Sequence, residues 1–558
     1  MLDFQYGDSE NSMEDICRVI AENRKLVAAC LYGPSISGYA DEKNGVNILL
    51  ILSAFKPILK TYRKRLEQKD VYILTIDQGF FQKDTEKGWL GEFAAEKLIV
   101  PYDPIINSEY LWRQEVTLKK RLCWELLEAI VLEFPELSHE LVIKPEYFIY
   151  ETLMQRAQLF PPLTYRFLNI LEKNLEEKNV EIMMKGYRKA LEDLKAENLL
   201  TFSNEQIKIA PKLIKIVKAR GLRIPNQIKS IRRATWLNLL SVLPKMMSSL
   251  AYDHEFYMKT HQKTNNESLR SQLEDPKNYL LMPTPLGLVP LSDKTTIEEF
   301  VKRTFPGTCA SEVTSKEIGG VLNSVYLLTI MKNHEQQRIV VKKFKNWVSF
   351  KWFPLALWAI GTKSFAVLGQ SRLEREYSLN KFLQSQGLAV PKILHISPRE
   401  SLIFQEFVEG ETLVRVIKRV IKKTEKADNE LQLMKEAGKR IAEVHKTGVA
   451  LGDCKPENLI LAKDGKIYFV DLEQASRDGN QIWDVAEFLY YSGHYVPPLS
   501  SASLAELIAK PFIEGYLEAG GKKENIRKAA SPRYTKVFSI FTQPHIIFAI
   551  SNLCRKIK

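Results

Sequence analysis

Two polar turns attached to apolar, strand-like runs constrain this chain most. Leu451-Gly-Asp-Cys-Lys-Pro-Glu-Asn458 comes first and Tyr468-Phe-Val-Asp-Leu-Glu473 second, so that Asp453 and Asp471 stand 18 residues apart. That spacing holds a loop, a short hairpin and a second strand. His445 lies just upstream. The last 260 or so residues open with short strand-like runs and turn helical after about Glu430. That order suggests a two-lobed α+β domain.

The rest of the chain is long enough for further folding units. At roughly 150 residues per domain, 558 residues suggest three or four. With 45% apolar and 26% charged residues, disorder and rod-like folds are excluded. The expected fold class is multidomain α+β: an α/β domain over 1–105, a basic helical domain over 106–275, a proline-rich linker over 276–295 and the two-lobed domain over 296–558. In the linker, Pro276, Pro283, Pro285 and Pro290 fix φ and remove donors. Thr296-Ile-Glu-Glu299 just beyond has the pattern of a capping box.

Lys and Arg number 80 against 67 Asp and Glu, a net charge of +13 that suits a polyanionic partner. Six cysteines occur with no C-x-x-C pair, which argues against thiolate zinc and disulfide frameworks and for a reducing, cytoplasmic setting. The first twenty residues lack a basic segment followed by an apolar core, so no secretory signal is expected. The longest uncharged run, Val537 to Cys554, contains Gln543, Pro544, His545 and Asn552 and makes a poor membrane span.

In the first hundred residues, Val46 to Ser53 and Val71 to Asp77 read as buried strands, and Pro57 to Gln68 as a basic helix between them. The loop Leu31-Tyr-Gly-Pro-Ser-Ile-Ser-Gly38 before the first strand resembles that of the nucleotidyltransferase superfamily, where a glycine loop cradles a triphosphate and two aspartates on the next strand hold metal ions. The matching positions here are Gly45 and Asn47. Asp77 could supply one carboxylate, and Asp41 and Glu42 lie in a connecting loop. Two divalent ions require clustered carboxylates, so a degenerate nucleotidyltransferase-like domain is expected.

From Gln206 to Tyr252 there is no acidic residue and there are ten basic ones: Lys208, Lys212, Lys215, Lys218, Arg220, Arg223, Lys229, Arg232, Arg233 and Lys245. A helix-like Val180 to Glu197 precedes two short strand-like runs, Leu199 to Phe202 and Ile207 to Ile209, as in a winged helix. The stretch suits a nucleic-acid backbone or an anionic membrane surface, since Trp236, Leu237, Leu239, Leu240 and Leu243 add an apolar face. It equally suits a solvated basic face beside an acidic one.

Further motifs lie upstream of the two polar turns. Glu317-Ile-Gly-Gly-Val-Leu-Asn-Ser324 can form a hairpin around Gly319 and Gly320. Ile339-Val-Val-Lys-Lys-Phe344 reads as a strand, with Val340, Lys342 and Phe344 on one face and Lys343 turned to solvent. Arg372-Leu-Glu-Arg-Glu-Tyr377 opens a helix, and a buried Lys342 needs an acidic partner, Glu376 or Glu374. Leu402-Ile-Phe-Gln-Glu-Phe-Val-Glu-Gly410 follows as a strand and turn.

The series resembles the protein-kinase-like superfamily, in the style of its atypical branch of RIO kinases, the KEOPS kinase and the lipopolysaccharide kinases, over about 296 to 500. The resemblance implies ATP and Mg2+ as cofactors. Gly319 and Gly320 would cover the phosphates, Lys342 would contact them and Glu376 would hold Lys342. Gln405 would guard the adenine pocket, and Glu406 and Val408 would present backbone groups to the base. Asp453 would take the proton of the acceptor hydroxyl, Lys455 would neutralise the transferring phosphoryl group, and Asn458 and Asp471 would hold magnesium. Asp484 would brace the catalytic loop. Lys455, two residues after Asp453, looks more like a serine/threonine kinase than an aminoglycoside phosphotransferase.

Three departures stand out. Leu451 and Gly452 replace the usual His-Arg, Asp471-Leu-Glu473 lacks the glycine pivot, and the stretch from Asp471 to Asp484 has no room for an ordinary peptide-docking segment. The implied function is an ATP- and Mg-dependent phosphotransferase of atypical serine/threonine protein kinase type, acting on a protein or small-molecule acceptor. Two rivals stand beside it. One is an ATP-binding or ATPase regulatory protein that binds nucleic acid through 206–252. The other is a small-molecule or lipid-head-group kinase peripheral to a membrane. The insertion 347–361, with three tryptophans, is a docking segment or core, and the apolar tail from Val537 invites the same two readings.

Overall fold

Apolar runs rich in branched residues can be buried on both faces of a sheet. Val46–Leu52 and Lys69–Asp77 behave in this way, with Ile48 to Leu52, Val71, Ile73 and Ile76 wholly inaccessible. The computed structural model describes residues 13–40, 45–66, 69–159, 162–203, 206–220, 273–307, 312–319, 323–332, 335–345, 366, 368–497 and 500–557. The chain divides into two compact units, Met1–Glu133 with Leu141–Leu281, and Phe134–Glu140 with Met282–Lys558.

The first unit begins α1 (Met13–Ala21), β1 (Leu26–Tyr32), α2 (Pro34–Ser37), β2 (Val46–Leu52), β3 (Leu59–Leu66), β4 (Lys69–Asp77), α3 (Gln78–Lys87) and β5 (Tyr102–Ile106). Its sheet has the order β3-β4-β2-β1-β5, in which β2 and β4 are the parallel pair. The helix expected over Pro57 to Gln68 is instead β3, paired antiparallel with β4 from Leu59↔Ile76 to Leu66↔Lys69. Lys and Arg favour a helix in isolation. Here the hydrogen-bonding edge of β4 decides, and the exposed Lys60, Arg63, Lys64 and Arg65 suit an edge strand.

The same unit continues through α4 (Ser108–Glu133), β6 (Val142–Ile143), α5 (Glu146–Leu159), α6 (Pro162–Ile170), α7 (Glu176–Ala196), β7 (Leu200–Ser203), β8 (Gln206–Ile209) and α8 (Pro211–Ala219). Leu122, Leu126 and Ile130 are buried along α4, as their spacing implies. The helix-then-hairpin order is present: β7 and β8 pair after α7, and β6 pairs with β8. On α8, Leu213, Ile214 and Val217 are buried while Lys212, Lys215 and Lys218 are exposed. The rest of the basic stretch, from residue 221, lies outside the described residues. The proline-rich segment is extended only in part: Pro276–Tyr279 is a 3-10 turn, and β9 (Leu280–Thr284), paired antiparallel with β6, and β10 (Gly287–Pro290) are strands.

In the second unit, α9 (Ile297–Thr304) opens with the expected capping box: Glu299 N donates to Thr296 Oγ1 at 3.2 Å and Thr296 N to Glu299 Oε2 at 2.8 Å. A five-stranded sheet follows, with β11 (Val313–Gly319), β12 (Asn323–Lys332), β13 (Glu335–Phe344), then α10 (Gly369–Ser385), β14 (Ile393–Ser397) and β15 (Leu402–Glu406). Its order is β11-β12-β13-β15-β14, and all its neighbours are antiparallel. Phe300 of α9 stacks on Phe404 at 4.0 Å and packs with Ile339 and Val341 on one face of this sheet.

The helical part contains β16 (Gly410–Thr412), α11 (Leu413–Lys423), α12 (Asp428–Lys446), β17 (Val449–Ala450), β18 (Leu459–Ala462), β19 (Ile467–Phe469) and β20 (Ser476–Arg477). Helices α13 (Gln481–His494), α14 (Ala502–Glu518), α15 (Lys523–Ala529), α16 (Pro532–Phe538) and α17 (Pro544–Arg555) complete it. Most of the apolar tail is core here: Val537, Phe538, Ile546, Ile547, Ile550 and Cys554 join the large apolar cluster, while Ile540 and Phe548 are exposed. Among the described residues, no helix is long and apolar enough to cross a membrane.

Helices α12 and α14 approach so closely that glycine is required on both. A Cβ on Gly438 would lie 2.1 Å from the Phe512 carbonyl oxygen, and one on Gly515 would lie 1.9 Å from that of Lys435. Gly515→Ala is expected to wedge the pair apart and cost about 1–3 kcal/mol. A lowered urea midpoint for the second unit, followed by near-ultraviolet circular dichroism, checks this.

Candidate active site

A lysine placed mid-strand on the inner face of a sheet must have its charge compensated. Lys342 pairs with Val325 and Ile403 across β13 and is 5% exposed, whereas Lys343 is exposed. Its Nζ is 2.7 Å from Glu376 Oε1 on α10 and 3.1 Å from Asp471 Oδ1. Of the two acidic candidates on that helix, Glu376 makes the pair; Glu374 is also buried. Burial works against the ammonium, but Asp471 and then Glu376 outweigh it and hold the Lys342 pKa above its ordinary value. Burial likewise opposes the charge on Asp471, yet Lys342 keeps its carboxyl below the usual range. Burial pushes Glu376 up against the pull of Lys342.

The catalytic-loop candidates cluster in the same way. Lys455 Nζ lies 3.0 Å from Asp453 Oδ2, and Asn458 Nδ2 donates to the same oxygen at 3.0 Å and to the Asp453 carbonyl at 2.9 Å. These donations turn Asn458 Oδ1 away from Asp453. The hairpin β18–β19 returns the chain to Asn458, and Val470 N donates to Asn458 O at 2.9 Å. Asp471 thereby follows directly on the residue whose backbone is bonded to Asn458. Asp471 has φ 67, a left-handed backbone that aspartate tolerates better than branched residues and that costs some energy. An amide oxygen and a carboxylate are hard donors of the kind magnesium takes together with phosphate oxygens.

The sheet and hairpin candidates are placed less completely. Gly319 ends β11 opposite Val325, and Gly320 lies outside the described residues, as does the insertion 347–361. Gln405 is buried, and its Oε1 has no hydrogen-bond partner among the described residues. Glu406 ends β15 with its N–H donated to Lys392 O at 3.0 Å. Val408 follows, half-buried, in irregular backbone. In the first unit, Asp77 is a helix cap: Oδ1 accepts from Gly79 N at 2.9 Å and Phe80 N at 3.3 Å, and Oδ2 from Phe55 N at 3.0 Å. Asp41 and Glu42 lie outside the described residues.

The loop bearing Asp453 is held through its backbone N–H groups, which donate to buried carboxylates. Asp484, at 0% exposure, accepts from Leu451 N at 2.6 Å and Gly452 N at 2.7 Å, and His445 Nε2 lies 3.0 Å from its Oδ2. Tyr516 OH meets His445 Nδ1 at 2.7 Å. Gly452 has φ 74, which a side chain would strain.

Several contacts escaped sequence reasoning. Glu487 accepts from Cys454 N at 2.7 Å and Trp483 Nε1 at 2.9 Å, and its i+3 spacing from Asp484 was the available signal. Glu473, at the missing pivot, lies 2.9 Å from Arg372 Nη2 and also accepts from Asn323. The network joins α10, β12 and the Asp471 loop, and nothing in local spacing announces it. Burial and the Asp471 charge push the Glu473 carboxyl up to about 7. Asp484→Ala strands two buried N–H groups and is expected to cost about 2–5 kcal/mol. Loss of exchange protection at Leu451 and Gly452 checks this.

Comparison with known proteins agrees with this geometry. The model of the lipopolysaccharide kinase (Kdo/WaaP) family matches residues 331–493, a span that runs from β12 to α13 and includes Lys342, Glu376, Asp453, Asn458, Asp471 and Asp484. The KEOPS complex subunit Bud32 of Pyrococcus abyssi is 28% identical over 158 residues, covering 28% of this chain and 67% of that protein. The BUD32 homolog of Archaeoglobus fulgidus is 29% identical over 158 residues, 28% of this chain and 72% of its own length. The EKC/KEOPS complex subunit bud32 of Dictyostelium discoideum is 29% identical over 119 residues, 21% of this chain and 46% of its own. In its C-terminal half this chain carries a kinase-type domain of the atypical protein-kinase-like superfamily.

Proposed function

We propose that this protein is an ATP- and magnesium-dependent phosphotransferase of the atypical serine/threonine protein kinase type. The observation that carries the reading is the chain of contacts from Glu376 through Lys342 to Asp471, at 2.7 and 3.1 Å. It stands beside a second cluster of Asp453, Lys455 and Asn458. Two of the three Lys342 protons are committed to carboxylates, and the third is directed to a phosphate oxygen of ATP. Asp453 orients the acceptor hydroxyl and takes its proton as the new O–P bond forms and the bond to the ADP oxygen breaks. Lys455 offsets charge on the transferring group. Asn458 and Asp471 would hold magnesium, which supplies charge neutralisation across the phosphates.

A second reading, transfer to a non-peptide acceptor or to water, is favoured by one observation. Ser476 and Arg477 already pair with Ala450 and Val449, and α13 begins at Gln481. The segment after Asp471 is therefore too short for an ordinary peptide-docking platform. We read the first unit as a targeting module: a nucleotidyltransferase-like sheet, then a winged-helix-like order supported by the β6–β8–β7 pairing. The exposed lysines of α8 offer a face to a polyanion or an anionic membrane. The charges of α7 are mixed in sign, which gives no ground for base-specific recognition.

The test is incubation of the full chain with γ-labelled ATP and magnesium, following labelled acceptor and free phosphate. Asp453→Ala is expected to lower turnover about 100- to 10,000-fold, as for loss of a general base, with ATP affinity little changed. Lys342→Met is expected to weaken both. Free phosphate without labelled protein favours the second reading. Wild-type rates in Asp453→Ala would refute the assignment of the site.

A further inference from the structure

In many kinases an arginine beside the catalytic aspartate receives a phosphorylated residue. Here that place is taken by Leu451-Gly452, and the charge arrangement occurs elsewhere with the partners reversed. Arg477 lies on β20, paired with β17, the strand that leads into Leu451. Its Nη1 donates to Glu136 Oε2 at 2.9 Å and to Ser378 Oγ at 3.1 Å, and its Nη2 to Glu140 Oε1 at 3.1 Å. Its backbone N donates to Glu136 Oε1 at 3.2 Å, and its guanidinium lies 4.8 Å from the Phe382 ring centroid. Ser378 Oγ in turn donates to the Glu136 carbonyl at 2.7 Å.

Glu136 and Glu140 belong to the short segment Phe134–Glu140, which packs with the kinase-type unit although the chain on either side of it belongs to the first. Ser378 stands two residues beyond Glu376 on α10. Glu136 therefore ties the helix that carries the Lys342 partner to the segment that follows Asp471. Two carboxylates on one guanidinium provide about the charge of a phosphoryl group, about −1.5 to −2, in the charge-assisted geometry that arginine favours.

We propose that Phe134–Glu140 is a built-in positioning element, and that Glu136 and Arg477 are positioning residues that hold Glu376 and Asp471 about Lys342 without any phosphorylated side chain. The proposal rests on the phosphotransferase reading of the site. It makes the kinase-type unit dependent on a piece of chain from between α4 and β6, and so constitutively ordered when that piece is docked.

The test uses the full chain with Glu136→Gln and Arg477→Ala. Three readouts are followed: Asp453-dependent turnover against ATP concentration, hydrogen exchange across Gly369–Ser385, and thermal melting. Glu136→Gln is expected to lower kcat/KM for ATP tenfold or more and to speed exchange in α10 in a protein still folded at the assay temperature, and Arg477→Ala, which leaves two carboxylates without their cation, to lower melting as well. A contact that only adds stability would shift melting and leave kcat/KM for ATP and exchange in α10 unchanged below the transition. Unchanged kcat/KM and unchanged exchange in Glu136→Gln would overturn the proposal. If Arg477→Ala does not fold, Glu136→Gln, which preserves size and one acceptor oxygen, decides. If the wild-type chain shows no Asp453-dependent turnover, the reading of the site fails, and exchange in α10 still decides whether the tie exists.

Discussion

The charge on Lys342 is the constraint around which the kinase-type unit is arranged. An ammonium at 5% exposure is tolerable only with carboxylates at contact distance, and both come from distant elements: Glu376 from a helix and Asp471 from the end of a hairpin. Buried ion pairs of this kind add little net stability compared with apolar packing, and breaking one partner is costly. Retaining one therefore speaks for a function that needs a fixed cation. The sheet register, the orientation of α10 and the closure of β18–β19 must all be correct at once for it to form.

Braces around this centre are built from acidic side chains that accept backbone N–H groups. Asp484 and Glu487, on one helix, hold Leu451, Gly452 and Cys454, so the loop bearing Asp453 is fixed at its main chain without drawing on the Asp453 carboxylate. The helix pair α12–α14, in contact through Gly438 and Gly515, supplies a rigid base. Glu473 replaces a flexible glycine with a buried link to Arg372 and Asn323. Where a conventional pivot would swing, this segment is cross-linked to the helix and the sheet.

The first unit shows how similar local signals lead to different structural roles. Asp77 looks in sequence like a carboxylate at a strand end, a metal-ligand candidate. Its oxygens accept three backbone N–H groups at the start of α3 and at Phe55. A carboxylate committed to capping is stabilised where it stands. Likewise the basic run over 59–66 becomes an edge strand because β4 offers an unpaired edge, a fact that no property of the run itself reveals.

Much of the site was legible because its parts are local patterns. Lys342 among valines, the Asp453–Asn458 turn, the strand before Asp471 and the capping box at Thr296 all follow from alternation, turn chemistry and short spacing. What could not be read were contacts between residues with no sequence relation. Periodicity left Glu374 and Glu376 equivalent, and only the placement of α10 against β13 selected Glu376. Glu136 reaches Arg477 across 341 positions, a distance over which no pattern carries information. The sequence by itself determined which groups are available and which faces are apolar, since these depend on residue type and backbone period. Only the tertiary structure decided which charges meet, because the cost of burying a charge is set by the dielectric and the partners that the whole fold brings to it.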